Sequence, residues 1–137
     1  ETLSLRMKKH VSNAKRVAEW LNKHPKVEEV TYAGLKSSKY ANRVKKIYPK
    51  GAGALFTVAL KGGYEACIKL INNVNLFSHV SNLGDTRSLI IHPASTVHRQ
   101  LTPEQQVKAG LAPNVLRLSI GIEDPIDLIK DLKQALE

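Results

Sequence analysis

The chain of 137 residues holds a single cysteine, Cys67. A lone thiol excludes an internal disulfide framework, and its place in an apolar helical pattern marks it as a small core residue. No apolar run approaches the roughly 18 residues that a bilayer crossing requires, and no cleavable signal pattern opens the sequence. The expectation is a soluble protein with the cytosol as its compartment. Aromatic residues make up only 5% of the chain. Few of them stand among the basic residues, and no RNP-like or helix-turn-helix pattern occurs, which argues against nucleic acid as the partner. Familiar catalytic spacings are missing too. There is no Gly-x-Ser-x-Gly elbow, and Gly62-Gly63 is not followed by the further glycine, Lys and Ser or Thr of a phosphate loop. His92 and His98, six residues apart, fit no common zinc spacing.

What is present suffices for one compact domain, since 42% of the residues are hydrophobic. Charge is uneven: residues 1–61 carry 14 Lys and Arg against 4 acids, and residues 62–137 carry 7 against 8. Such a basic half is compatible with polyanion contact, but its charges fall on the polar faces of helices.

Met7, Val11, Ala14, Ala18 and Leu21 form a helical stripe closed by Pro25, and Val27 to Tyr32 reads as a strand. A basic helix is expected from Ser37 to Ile47, with Tyr40, Val44 and Ile47 inward. Ala54 to Leu60 suits a central strand, and Tyr64 to Val74 a helix buried through Cys67, Ile68, Leu70 and Ile71. Leu76 to Val80 and Ser88 to His92 read as short strands around a polar turn, Ser81 to Arg87. That turn is either a plain loop or an anion-binding concavity of backbone amides. Thr102-Pro103-Glu104-Gln105 is a capping box stopped by Gly110. Asp124-Pro125 starts a last helix with Ile129, Leu132 and Leu136 as its stripe. The order predicts an α+β two-layer sandwich, with helices on one face of a mixed or antiparallel sheet.

Arg117 stands in the alternating run Val115 to Ile122, where Leu116, Leu118, Ile120 and Ile122 make one apolar face and Arg117, Ser119 and Gly121 the other. A guanidinium fixed on a strand suits bidentate capture of a carboxylate or phosphate, with an ordinary edge-strand arginine as the competing reading.

Three segments together resemble a known family. They are Glu1 to Met7 with His10, Asn13-Ala14, Val17-Ala18, His24-Pro25, Val27 and Tyr32 to Leu35; Asn82 to His98; and Leu116-Arg117-Leu118-Ser119-Ile120-Gly121-Ile122-Glu123-Asp124. Nearly the whole chain looks like the C-terminal domain of the Cys/Met-metabolism pyridoxal-phosphate enzymes. Asn82-Leu83-Gly84-Asp85 and Ser88 to Thr96 are most similar to the O-acetylhomoserine sulfhydrylase branch. Ala33 stands where the family often has proline, and Val97 where sulfhydrylases often have threonine.

The resemblance implies that Arg117 binds the α-carboxylate of a small amino-acid substrate and that Ser88 lies beside it. It implies no catalytic and no cofactor-binding residue within residues 1–137, because no lysine here stands in the Ser-x-Thr-Lys setting that carries pyridoxal 5'-phosphate. The chain is thus expected to be a single C-terminal domain, inactive alone, whose partner is an upstream cofactor-binding domain in a homo-oligomeric, cytoplasmic protein. Alternative readings are a γ-synthase or γ-lyase of the same family, a basic RNA-binding module and an assembly domain.

Overall fold

The computed structural model describes residues 1–137, in the order α1 (Leu3–Leu21), β1 (Val27–Thr31), α2 (Ala41–Ile47), β2 (Leu55–Leu60), α3 (Gly63–Asn73), β3 (Leu89–Ile91), α4 (Pro103–Lys108), β4 (Val115–Ser119) and α5 (Pro125–Leu136). The strands form one four-stranded sheet, β1-β2-β4-β3, in which every neighbouring pair is antiparallel. β2 and β3 both oppose β4 and so run parallel to each other, joined through α3 in a split β-α-β arrangement. Helices α1, α3 and α5 pack on one another and on one sheet face, giving the expected α+β sandwich.

The core follows from the alternation on the central strands. Phe56, Val58 and Leu60 of β2 and Leu116 and Leu118 of β4 point into one cluster of 23 buried residues, which Ile120 joins just past the strand. From the helix layer come Ala14, Val17, Ala18 and Leu21 of α1, Cys67 and Leu70 of α3, and Leu128 and Leu132 of α5. Burial pushes the Cys67 thiol up to about 12, so it stays neutral as the small core residue that its pattern implied. α4 carries the full capping box of Thr102 and Gln105, and just past its C-cap Ala109 stands Gly110, whose φ of +72° suits a residue without Cβ. In α5 the Asp124 carboxylate accepts from the Ile126 amide at 2.7 Å, with Pro125 in the first turn. At its far end Lys26 donates to the Leu136 and Glu137 carbonyls, a cation against the negative end of the helix.

Several expectations need correction. The buried face of α1 is rotated from the apolar stripe: Met7 is exposed, whereas His10 and Asn13 are buried. Helix α2 begins at Ala41 and buries nothing, leaving Tyr40 and Ile47 exposed. Residues before it are held in turns, with the Ser38 hydroxyl accepting from the Tyr40 amide, a local bond that competes with helix. Leu76 to Val80 is no strand. Asp131 of α5 takes the Asn75 and Leu76 amides, and only Ser78 bridges to the sheet. Ile68, Ile129 and Ile122 are half-buried, while Leu128 sits fully buried at the centre of the α5 face.

Candidate functional site

β4 lies between β2 and β3, so Arg117 is on an interior strand and the edge-strand reading falls. Its register partners are Thr57 on β2 and Ile91 on β3, and paired residues share a face. That face is opposite the helices. Arg117 is half-buried and takes part in neither of the chain's two ion pairs, Arg87–Asp85 and Lys130–Asp127. An arginine on an interior strand, half-buried and without a carboxylate of its own, carries a donor fork whose geometry can match two oxygens of a planar anion at once.

The same face is not bare along β3. Leu89 and Ile91 are each 2% exposed, and Ser119, expected to meet solvent or another domain, is buried. The turn from Ser81 to Arg87 folds over it, with the Gly84 amide donating to the Ser119 hydroxyl at 3.3 Å. Four amides of this segment are taken within the chain and so are not offered to an anion: Leu83 by Asn82, Gly84 by Ser119, Arg87 by Asp85 and Ser88 by Glu123. The Arg87 amide also holds the Asp85 carboxyl below the usual carboxylate range.

Ser88 is fully buried. Alternation from Leu89 places its side chain on the helix side, away from Arg117. There the hydroxyl donates to Glu123 Oε2 at 2.9 Å and accepts from the Gly121 amide at 2.9 Å, while the Ser88 amide donates to Glu123 Oε1 at 2.6 Å. Both donors of Ser88 are therefore engaged within the chain. The structure brings the strand segments of Arg117 and Ser88 side by side and turns their side chains to opposite faces.

Three residues that the sequence patterns left without a role complete this network. Asn13 donates both amide hydrogens, to Gly121 O at 3.1 Å and to Glu123 O at 2.7 Å. His10 Nδ1 lies 2.6 Å from Ile120 O, and since a carbonyl only accepts, the proton sits on Nδ1. Glu123 supplies the carboxylate. His10, Asn13 and Glu123 stand in the segments that resemble the family, and His10 and Asn13 share an i, i+3 spacing on α1, but no periodicity foretells the burial of such polar residues. Gly121 is required by the close approach: a Cβ there would overlap Thr86 O and the Glu123 carboxylate.

His92 is likewise structural, its Nδ1 accepting from Ser95 Oγ at 2.7 Å and its Nε2 donating to Pro113 O at 2.8 Å. Ala33 is exposed in the turn closed by the Leu35 amide on Tyr32 O, and Val97 is exposed. A groove of about 690 Å³ lies elsewhere, between α1 and α2, and is lined by Val11, Lys15, Leu35, Lys36, Val44 and Lys45. Its lysines are exposed and so lack the desolvation that sharpens charge recognition, which leaves Arg117 the better candidate.

Pyridoxal phosphate requires a lysine poised as a neutral amine, achieved by burial or a neighbouring cation. Every lysine of this chain is exposed. The residues present do not fit covalent attachment of that cofactor. No helix is long and apolar enough to cross a membrane.

The family model of the Cys/Met metabolism PLP-dependent enzymes matches residues 1–137. An O-acetyl-L-homoserine sulfhydrylase of Thermus thermophilus is 48% identical over 136 residues, which is 99% of this chain and 32% of that protein. An L-methionine gamma-lyase of Fusobacterium nucleatum is 45% identical over 137 residues, all of this chain and 34% of the relative. A solved structure from Campylobacter jejuni, assigned as an O-acetylhomoserine (thiol)-lyase and containing a pyridoxyl-lysine phosphate at its position 205, superposes with a TM-score of 0.93 at 46% identity. The match covers 98% of this chain and 32% of that one. The chain thus spans about a third of the length of the relatives it matches.

Proposed function

The chain belongs to the Cys/Met metabolism PLP-dependent enzymes, and from that premise we propose that it is the C-terminal, substrate-binding part of an O-acetylhomoserine sulfhydrylase. The whole protein would replace the acetate of O-acetylhomoserine by sulfide or a thiol, giving homocysteine or methionine. Arg117 holds the substrate α-carboxylate, and Ser88 belongs to the same site from the end of β3. The observation that carries this reading is a half-buried arginine on an interior strand, with a guanidinium free of any internal carboxylate. In this reading the cofactor and its lysine belong to a part of the protein outside these 137 residues, and the assembled protein is a cytoplasmic homo-oligomer.

Replacing Arg117 by Ala in the full-length protein is expected to lower kcat/KM for the amino-acid substrate by about 2–4 kcal/mol of transition-state binding. An unchanged kcat/KM overturns the assignment. The 137-residue chain alone, mixed with pyridoxal phosphate and reduced with borohydride, should show no stoichiometric labelling of one lysine by peptide mass spectrometry. Such labelling would place the cofactor site here instead. The similarity to methionine gamma-lyases supports a second reading as a lyase. Consumption of methionine by the full-length protein without any acetylated donor would favour it.

A further inference from the structure

We infer that Glu123 is a positioning residue for the Arg117 site, acting through Ser88; the inference rests on Arg117 being the carboxylate anchor. β3 is an edge strand of three residues, so few ladder bonds hold it against β4. A one-residue slip there would exchange the faces of Leu89, Ile90 and Ile91 and remove Ile91 from its place opposite Arg117. What stands at the open end of this pair is the Glu123 carboxylate, which takes the Ser88 amide at 2.6 Å and the Ser88 hydroxyl at 2.9 Å. The hydroxyl is tied in turn to the Gly121 amide, and the Ile122 amide donates to Thr86 O, so the turn before β3 is fastened to the turn after β4 at several points.

Glu123 is itself held from the helix layer. Asn13 bonds its carbonyl, and His10 bonds the carbonyl three residues before it. The clamp therefore sets β3 relative to β4 with α1 as the reference frame. Because Ser88 is fully buried and both its donors point at Glu123, a substrate carboxylate finds no free donor on its side chain. Ser88 serves the site by position, as the link between Glu123 and the strand beside Arg117.

The test uses the full-length protein with O-acetylhomoserine and sulfide. Glu123→Ala is expected to lower kcat/KM about 10- to 100-fold, mainly through KM, the scale of a small displacement of a binding group. Glu123→Gln keeps an acceptor for the Ser88 amide and should recover activity to within about threefold of the parent. Ser88→Ala should show a smaller loss, and the double variant should be no worse than Glu123→Ala alone, since both break one device. Independently of activity, hydrogen exchange at the Ser88 and Leu89 amides should speed up at least about tenfold in Glu123→Ala.

If Arg117→Ala leaves kcat/KM unchanged, the carboxylate reading fails and takes this inference with it. If Arg117→Ala is impaired while Glu123→Ala keeps the parent KM, or if its effect adds fully to that of Ser88→Ala, Glu123 is merely structural and only this inference is overturned. Should Glu123→Ala not fold, Ser88→Ala decides alone: raised KM with faster Leu89 exchange supports the clamp, and parent values of both reject it.

Discussion

The two faces of β4 differ at Arg117. Toward the helices, every polar side chain near Gly121 has a partner: His10, Asn13, Ser88 and Glu123 bond one another or the backbone of the β4–α5 turn. On the other face Arg117 stands without a carboxylate. A buried polar group must be satisfied at folding, because water cannot reach it later. A half-buried cation at the sheet surface keeps part of its hydration and can leave its partner to be supplied from outside. The difference separates residues that build the site from the residue that uses it.

Mutations can break or sharpen that contrast in urea unfolding of the 137-residue chain. Leu118→Ala, beneath Arg117 on the helix side and 2% exposed, should be the most damaging, at about 2–5 kcal/mol of lost stability. Asn13→Ala leaves two carbonyls without their donor and should cost about 1–3 kcal/mol. Loss of under half a kcal/mol would show the network to be dispensable for folding. Asp131→Ala, which frees the Asn75 and Leu76 amides, should lie at about 1–2 kcal/mol. Arg117→Met should stay within about 0.5 kcal/mol of the parent, as expected where no internal partner is lost. A large destabilisation there would mean that the guanidinium serves the fold, and the contrast between the faces would disappear. Cys67 should resist alkylation at neutral pH in the folded chain and react on unfolding, since burial keeps the thiol protonated up to about 12.

The stripes and caps that were legible share a property. Leu116, Leu118 and Ile120, the box of Thr102 and Gln105, and the cap at Asp124 each depend on residues a few positions apart. Where sequence patterns misled, a distant residue intervened. Val44 and Ile47 have helical spacing, yet α2 buries no residue, Val44 being half-buried and Ile47 exposed. Leu76 to Val80 has strand-forming residues, but Asp131, more than fifty positions away, takes the first amides. On α1 the apolar stripe pointed to Met7, whereas the β4–α5 turn recruits His10 and Asn13 to the buried face.

The site divides in the same way. Alternation alone determined that Arg117 lies opposite Leu116 and Leu118, because side-chain direction along a strand is a local property of the backbone. Nothing local distinguishes a paired arginine from an unpaired one, or tells that Ser88 turns inward to Glu123. Those facts depend on which strands are neighbours and which loops fold over them. Only the tertiary structure decided that β4 is interior, that the Arg117 guanidinium has no internal carboxylate, and that the donors of Ser88 are already engaged. Hydrogen bonds across more than thirty residues are made by packing, and sequence spacing carries no record of them.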